Sequence, residues 1–529
     1  MVETIADLIK RKGVSQGQIP GWWTYLPLLP HLSDATNENN ENNGNKGAAA
    51  ASTRRSTVSP WLVLVPPTVI VDDAKMRKAL STYDPSEPWF LGNALEDKQW
   101  SILHHYAEPA GFQYPDQRLG MALSGAAVDS VSAALRGSQG VPPDFHIDAP
   151  YEFAKYLNEP KSSGGKDGRN PIQLKHLPST FCSTTVGPAT SVCGVAPAME
   201  RWQPSPMDPH RGAGGGALEA RDILVAVKTT KKNHMTRIRG IKATWLDDEV
   251  AAHTLIFSET EDDRIPVTLQ AVPNTERGHA GKLQSILRQT RPLVLDPATS
   301  EMFEARRRPG EAGGGGGDAA RAAVTKHLAA ETAARGFKWL AVVDDDTLLD
   351  LNGGVLVALS AHDWREKVMV GDIYGYGHQF NAEGHRTTGY DYPTGGAGMY
   401  LSAAAVHEIV ENMDGTGVRG EQHYLCEPGA ADEPDDMWLG KCAQGLGIVQ
   451  TQGAGMHQAH VSDYSARRLQ TGKEIGEPMV SFHRFKDAAE AVDIYQTQFG
   501  KVGKGVAAVD AQGRAEVQEE GSERREILM

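Results

Sequence analysis

At 529 residues the chain is too long for one ordinary core and reads as two or three units. Its 67 Asp and Glu outweigh 53 Lys and Arg, and a net charge of −14 excludes the broad basic face of a nucleic-acid binder. A hydrophobic fraction of 40% and a charged fraction of 23% exclude disorder of the whole chain.

Residues 1–57 read as a disordered N-terminal segment, ending in the polar and Ala-rich "NENNENNGNKGAAAAS". Met1 to Leu32 has no basic segment followed by an apolar run, so no signal peptide is legible. No transmembrane segment is visible either, because the longest apolar run, "WLVLVPPTVIV", is short and broken by Pro66 and Pro67. Structure is expected to begin near residue 58, with an apolar strand leading into "VIVDDAKMRKAL", a second strand at "PWFLG" and a helix opening at Ser124. Residues 58–150 form the first expected unit and 151–220 a Gly- and Pro-punctuated linker.

The second unit, 221–500, opens with the β-branched run "DILVAVKTT", a buried strand. A helical "TRIRGIKATWL", strands near "HTLIFS" and "VTLQAV", and a helical "GHAGKLQSILRQT" follow. An Ala-rich helix stopping at Gly336 precedes the strand "KWLAVV". Then come the strand "KVMVGDI", the helix "SAAAVHEIVENM" with Ser402 as N-cap, the helix "DDMWLGKCAQGL" and the strand "GIVQTQ". Strands alternating with helices imply an α/β fold around a mostly parallel sheet, whose ligands sit at the carboxyl ends of strands. Residues 501–529 read as a disordered tail.

Asp344, Asp345 and Asp346 leave the sheet at that ligand-binding edge, and carboxylate oxygens suit Mg²⁺ or Mn²⁺. Capping of a helix beginning at Thr347 is the competing local reading. The basic "VKTTKKNHMTRIR" offers Lys228, Lys231, Lys232, Arg237 and Arg239 to phosphates, or else a solvated helix face. "PTGGAGMYLS" allows close backbone approach to a ligand, as any tight turn would. Asp435 and Asp436 open a helix, where a carboxylate either caps or accepts a proton from an attacking hydroxyl. His457 and His460 follow the final strand, and an imidazole there could complete a carboxylate metal site. Cys182, Cys193, Cys426 and Cys442 lack a CxxC pair; two disulfides and four buried thiols both fit.

In this order, "VAVKTTKKNH…R", "VVDDDT", "TGGAGM", "PDDMWLG" and "MHQAH" resemble the Fringe-like β-1,3-glycosyltransferases, inverting enzymes of GT-A fold. "NTERGHAGK", "YGYG", "HQAHVSDY" and "PMVSFH" resemble the branch that adds glucose to O-linked fucose on thrombospondin type 1 repeats. The resemblance implies two GT-A-like, Rossmann-like domains, the N-terminal one degenerate. It implies a UDP-sugar donor, Mn²⁺ as cofactor, and an O-fucosylated protein repeat as acceptor. Residue by residue, it puts the metal on Asp346 and His457 and the donor beside Thr229, Arg237, Asp345, Gly395 and Gly396. The catalytic base falls on Asp436 or Asp435, with Asp436 favoured. An endoplasmic reticulum or Golgi lumen is implied, with Cys182–Cys193 and Cys426–Cys442 bridges, although the chain ends "RREILM" without a retention motif. A β-1,3-N-acetylglucosaminyl- or galactosyltransferase, or an inactive glycan-binding module, are the alternatives.

One element is written twice. "FQYPDQRLGMALSGAAV" (112–128) and "YDYPTGGAGMYLSAAAV" (390–406) share nine of seventeen positions, yet "DQRL" stands where the later copy has "TGGA". "VIVDDAKMRKAL" lies upstream of the first copy much as "AVVDDDTLLDL" lies upstream of the second, so Asp72 and Asp73 are expected to match the Asp344 edge. On that alignment the first unit keeps the scaffold and lacks a donor site.

Overall fold

The computed structural model describes residues 29, 60–66, 69–97, 102–104, 111–137, 145–158, 170–182, 195–197, 218–269, 272, 279–297, 328, 336–380, 386–413, 426 and 433–501. The chain divides into two compact units, each discontinuous in sequence. The first gathers Met1–Gln203 with Tyr374–Tyr390 and Ser462–Glu477; the second holds Pro204–Ile373, Asp391–Val461 and Pro478–Met529. The Ala-rich stretch before Gly336 and the tail beyond 501 lie outside the described residues.

In the first unit, β1 (Trp61–Leu64), β2 (Phe90–Gly92), β3 (Met121–Ser124) and β4 (Leu174–His176) form a sheet of order β1-β3-β2-β4. Strand β3 runs antiparallel to both β1 and β2, and β2 is parallel to β4. Helix α1 (Gly125–Gly137) follows β3 directly. Phe90, Leu123, Val131, Tyr151 and Phe153 are fully or nearly fully buried in the core beneath it.

In the second unit, the strands are β5 (Ile223–Lys228), β6 (Thr254–Ser258), β7 (Val267–Leu269), β8 (Trp339–Asp344), β9 (Val368–Gly371), β10 (Met399–Ser402) and β11 (Val449–Gln452). Their order is β7-β6-β5-β8-β10-β9-β11, and β5, β6, β7 and β8 are mutually parallel. Every residue of β5 is buried, which is why it reads as an unbroken apolar run. Helices α2 (Arg237–Ala243), α3 (Ala280–Thr290), α4 (Ala403–Met413) and α5 (Asp435–Gly445) complete this unit's main elements. The apolar faces of α3, α4 and α5 join the sheet in one core that includes Leu224, Phe257, Ile286, Val406 and Trp438. Cys426 and Cys442 are disulfide-bonded inside that core. Cys182 is also disulfide-bonded, and its expected partner Cys193 lies outside the described residues.

The repeat extends through the hydrogen-bonding register. In one sheet Trp61 pairs with Ser124, and in the other Trp339 pairs with Ser402. The same displacement in sequence therefore relates β1 to β8 and β3 to β10, and β2 and β4 correspond to β9 and β11 with the same strand directions. Side-chain bonding repeats too. Ser124 Oγ accepts from the N–H of Trp89 and Ala127 and donates to the Glu87 carbonyl, at 2.9, 3.2 and 2.7 Å. Ser402 Oγ accepts from Val368 and Ala405 and donates to Glu366, at 3.1, 3.1 and 2.6 Å.

This register corrects the upstream alignment. The counterpart of "WLAVVDD" is "WLVLVPP", so Pro66, and not Asp72, stands where Asp344 does. Val69–Val71 instead pairs antiparallel with Val195–Pro197 in a separate two-stranded sheet, and Asp72 caps the helix Asp73–Leu80 through the Lys75 N–H. Similar spacing to the doubled stretch, together with two adjacent Asp residues, produced the misleading match. No counterpart of β5, β6 or β7 accompanies β1 in its sheet among the described residues.

Removing either serine hydroxyl leaves buried backbone groups without partners. Ser402→Ala and Ser124→Ala are each expected to lower stability by about 2–3 kcal/mol, read from urea unfolding of the full chain.

Candidate active site

The chemistry collects where β5 and β8 end side by side. Lys228 pairs with Asp344 in the parallel register of those strands, so each strand delivers its last side chain to the same edge. Beyond β8, Thr347–Leu349 is a short strand paired with Ser481–His483, not the start of a helix. The helix-capping alternative for Asp344, Asp345 and Asp346 is thereby excluded; Asp350 caps the next turn through the Gly354 N–H.

Asp344, Asp346 and His483 bring three potential ligand atoms within 4.8 Å of one another. His483 Nε2 lies 3.0 Å from Asp346 Oδ1 and 3.8 Å from Asp344 Oδ2. Its Nδ1 faces the Gln458 carbonyl at 2.9 Å, so Nδ1–H donates there and the neutral ring turns an Nε2 lone pair toward two carboxylates. Lone pair facing anion is unfavourable unless a cation or a second proton stands between them. Burial alone would lower the His483 pKa, but Asp346 and Asp344 overcome it and raise it. Two carboxylates and an imidazole are a donor set suited to a divalent transition metal.

His457, expected as a ligand, is not brought into this group. Its Nδ1 lies 3.0 Å from the Ser481 carbonyl and its ring stacks on Phe482 at 4.3 Å, bracing the strand that carries His483. His460 lies 3.4 Å from Glu490, also apart from the group. Sequence reasoning passed over His483 as a ligand, although the segment "PMVSFH" that contains it had been singled out.

Asp345 faces the other way and is held by three donors. Thr229 Oγ1 at 2.6 Å and Asn233 Nδ2 at 2.9 Å reach its Oδ2, and Arg237 Nη1 reaches its Oδ1 at 3.0 Å. Arg237 Nη2 also pairs with Asp346 at 3.0 Å, so one guanidinium bridges consecutive carboxylates. Burial and the adjacent Asp346 charge raise the Asp345 pKa against the pull of Thr229 and Arg237. Lys282, a buried residue of α3, donates to the Thr229 carbonyl at 2.8 Å and pairs with Glu259 at 3.2 Å. His234 links Asp262 at 3.0 Å and Ser258 Oγ at 2.9 Å. That arrangement looks like a hydrolytic triad, but Ser258 and His234 are sealed from solvent, so it fixes the loops after β5 and β6.

Lys228 connects the metal-type group to α5. Its buried Nζ lies 2.9 Å from Asp344 Oδ1 and makes a short contact with Asp435. Asp435 is thus committed to an ion pair. Its neighbour Asp436 is half-buried and accepts from its own helix's Met437 N–H at 2.8 Å and from the Gly395 N–H at 3.4 Å. Burial first, and the Asp435 charge second, push the Asp436 pKa up to about 7, with Lys228 opposing. A carboxylate poised near neutrality is suited to accept a proton.

The two glycines differ. A Cβ on Gly395 would come no closer than 3.4 Å to Asp344, whereas one on Gly396 would lie 2.2 Å from His483 Nδ1. Gly396 is therefore required by the close approach of the imidazole.

A family described as Fringe-like matches residues 218–501. The sequence is 31% identical over 469 residues to a β-1,3-glucosyltransferase of Homo sapiens, covering 88% of this chain and 72% of that protein. It is 30% identical over 471 residues to the β-1,3-glucosyltransferase of Mus musculus, covering 88% and 73%. A shorter match, 41% identical over 56 residues, is to the β-1,3-N-acetylglucosaminyltransferase radical fringe of Gallus gallus, covering 11% and 15%.

Gly396→Ala is expected to displace His483 and, if a divalent metal supports activity, to raise the metal concentration for half-maximal activity by about tenfold, while Gly395→Ala leaves it unchanged. Activity titrated against metal concentration for the two variants checks this.

Proposed function

Because the chain belongs to the Fringe-like glycosyltransferases, we propose that it moves glucose from a UDP-sugar to the 3-hydroxyl of O-linked fucose on a thrombospondin type 1-like repeat. The observation that carries this reading is the arrangement of Lys228, which ties the Asp344–Asp346–His483 group to the first turn of α5, where Asp436 is held near neutral pKa. A displacement needs positive charge to face the departing diphosphate and a base for the incoming hydroxyl; the first group offers ligands that would hold a divalent cation, and Asp436 offers the base.

We assign a divalent cation, Mn²⁺ by resemblance, to Asp344, Asp346 and His483. When bound, such an ion supplies charge stabilisation to a leaving diphosphate. Arg237 and Thr229 orient Asp345 beside the donor, and the Gly395–Gly396 turn borders it. Asp436 holds the acceptor hydroxyl and takes its proton, so the nucleophile attacks as the leaving group departs and the anomeric configuration inverts. Asp435, held by Lys228, keeps the helix start in register and leaves Asp436 as the base. Inversion gives the β linkage.

The relatives' β-1,3-glucosyltransferase name supports glucose as the donor sugar. The short match to radical fringe favours one second reading, transfer of N-acetylglucosamine. The Cys426–Cys442 disulfide supports residence in an oxidising lumen, endoplasmic reticulum or Golgi. Among the described residues no helix is long and apolar enough to cross a membrane. The first unit is assigned a non-catalytic role, since Pro66 stands in its sheet where Asp344 stands in the second.

A panel of UDP-sugars with Mn²⁺ and an O-fucosylated repeat is expected to give transfer from UDP-glucose. Preferential use of another sugar would replace the donor assignment.

The base assignment carries two further expectations. Activity is expected to fall about tenfold per pH unit below about pH 7 as Asp436 is protonated. Its folded-state pKa lies above the ordinary aspartate value, so protonation favours the folded form. The associated stability is present at low pH and lost as pH rises through about 7. Asp436→Asn is therefore expected to abolish transfer yet raise Tm relative to the parent protein at pH 8, with the difference vanishing near pH 3.

A further inference from the structure

We propose that the first unit carries a pH-sensitive latch: His104, held between Asp97 and Asp148, serves it as an imidazolium, and the unit loosens around that ring as the proton leaves. All parts of the latch belong to that unit. Ile102–His104 is a single turn of 3-10 helix, and the His104 side chain is buried. Its Nδ1 makes a short contact with Asp97, and its Nε2 lies 2.9 Å from Asp148 Oδ2. A neutral imidazole has one N–H and one lone pair, so it can satisfy only one of these carboxylates. The imidazolium donates to both.

The groups around the ring favour its charged form. Asp97 follows the strand Ala94–Glu96, and its other oxygen accepts from the Tyr114 hydroxyl at 2.8 Å. Asp148 precedes the helix Ala149–Asn158 and accepts the Glu152 N–H on its carbonyl at 2.9 Å, so its carboxylate stands at a helix N-terminus. Asp148 Oδ2 also accepts from Arg468 Nη1 at 2.9 Å. Tyr151 stacks on the imidazole with ring centres 3.8 Å apart, and Tyr114 meets it edge-on at 4.9 Å. Burial alone would lower the His104 pKa, but Asp148 and Asp97 overcome it and raise it. Burial would likewise raise the Asp148 pKa, yet Arg468 and His104 bring it below the ordinary aspartate value. Tyr114, its pKa raised by burial and by the same two carboxylates, stays a neutral donor. Two carboxylates thus face one guanidinium and one imidazolium. A neutral ring would leave one largely buried negative charge in excess.

The latch joins segments remote in sequence. The turn of His104, the start of Ala149–Asn158 and the helix Ala466–Glu474 meet at Asp148, through His104 on one side and Arg468 on the other. Arg468 also lies over the Tyr464 ring at 5.6 Å. The same helix has further holds. Arg467 donates to the Ala94 carbonyl at 3.4 Å, and Arg118, forked onto the two oxygens of Asp116 at 2.9 Å each, reaches Glu477 at 3.1 Å. Arginines keep their charge throughout, so among these groups His104 is the one suited to change charge between about pH 5 and 8. The expected effect is loosening and not release. Because the His104 pKa is higher in the folded protein than in the unfolded chain, its stabilisation is fully present below the ordinary histidine value of about 6.5. It is lost as the pH rises through the folded value, so mild acid firms this unit.

The test uses the full chain with no metal or sugar donor added. Exchange of the imidazole C2 hydrogen, followed by mass spectrometry across pH, titrates His104 individually. Its midpoint is expected above about 6.5, and a midpoint at or below that value overturns the proposal. Backbone amide exchange, corrected for the intrinsic effect of pH, is then read in peptides from Ala149–Asn158 and Ala466–Glu474. Protection there is expected to fall at least about threefold between about pH 5.5 and 8.5. His104→Gln is expected to abolish this dependence while leaving that of Ile223–Lys228, in the other unit, unchanged. Protection that does not vary with pH in the parent protein, or a folded His104→Gln variant that keeps the parent's dependence, overturns the latch. Where His104→Gln does not fold, Asp97→Asn takes its place: with one carboxylate gone, the His104 midpoint is expected to move to lower pH, and an unmoved midpoint also overturns the latch.

Discussion

One buried ammonium group organises the second unit's site. Lys228 ends a strand with no exposed residue, and its charge is shared between the carboxylate that ends β8 and the one that opens α5. Desolvating a lysine is costly, yet here the two carboxylates prevail and its pKa is raised. The result is a fixed distance between the group that suits a metal and the helix that presents Asp436. Removing one partner of such a set typically costs about 3–5 kcal/mol, so the arrangement resists drift. Lys228 and Asp435 work as a brace, which explains why two adjacent aspartates behave differently although both begin the same helix.

Much of the fold was legible because buried parallel strands leave a strong mark. "ILVAVK" and "WLAVVD" are apolar to their ends and then turn charged, which gives both the strand and the side of the sheet where ligands collect. The helices after Ser124 and Ser402 were readable from serines ahead of Ala-rich runs, and both hydroxyls do bind the third amide of the helix that follows. Discontinuity of the units was not legible. Which unit a helix such as Ala466–Glu474 joins depends on Arg468 meeting Asp148 and Arg118 meeting Glu477, pairings between residues hundreds of positions apart. No local pattern encodes them.

At the site, residue types were easier to read than roles. The acidic edge, the basic loop and the α5 carboxylates all fall together, but histidines are interchangeable to a pattern reader. His457 and His483 both follow the last sheet strand, and only the pairing of Ser481–His483 with Thr347–Leu349 decides which ring faces Asp346. Likewise, "GG" suggested room for a ligand, whereas the second glycine makes room for the protein's own imidazole. The doubled stretch shows the converse case. Identity at Tyr, Pro, Gly, Met and Ser preserved a turn and a strand, and the register shared by Trp61 and Trp339 follows from them. The changed middle redirected what that turn holds.

The interleaving of the two units has a consequence for how the polypeptide is made. A ribosome releases the strands of the first unit's sheet well before Tyr374–Tyr390 and Ser462–Glu477, which join the same unit. At roughly 5–20 residues per second, the early sheet waits tens of seconds with the sockets for Arg467 and Arg468 unfilled. Nascent chains therefore expose a half-finished surface until Ser462–Glu477 has been made. Cellular quality control thus meets an intermediate whose last missing piece is the short helix Ala466–Glu474.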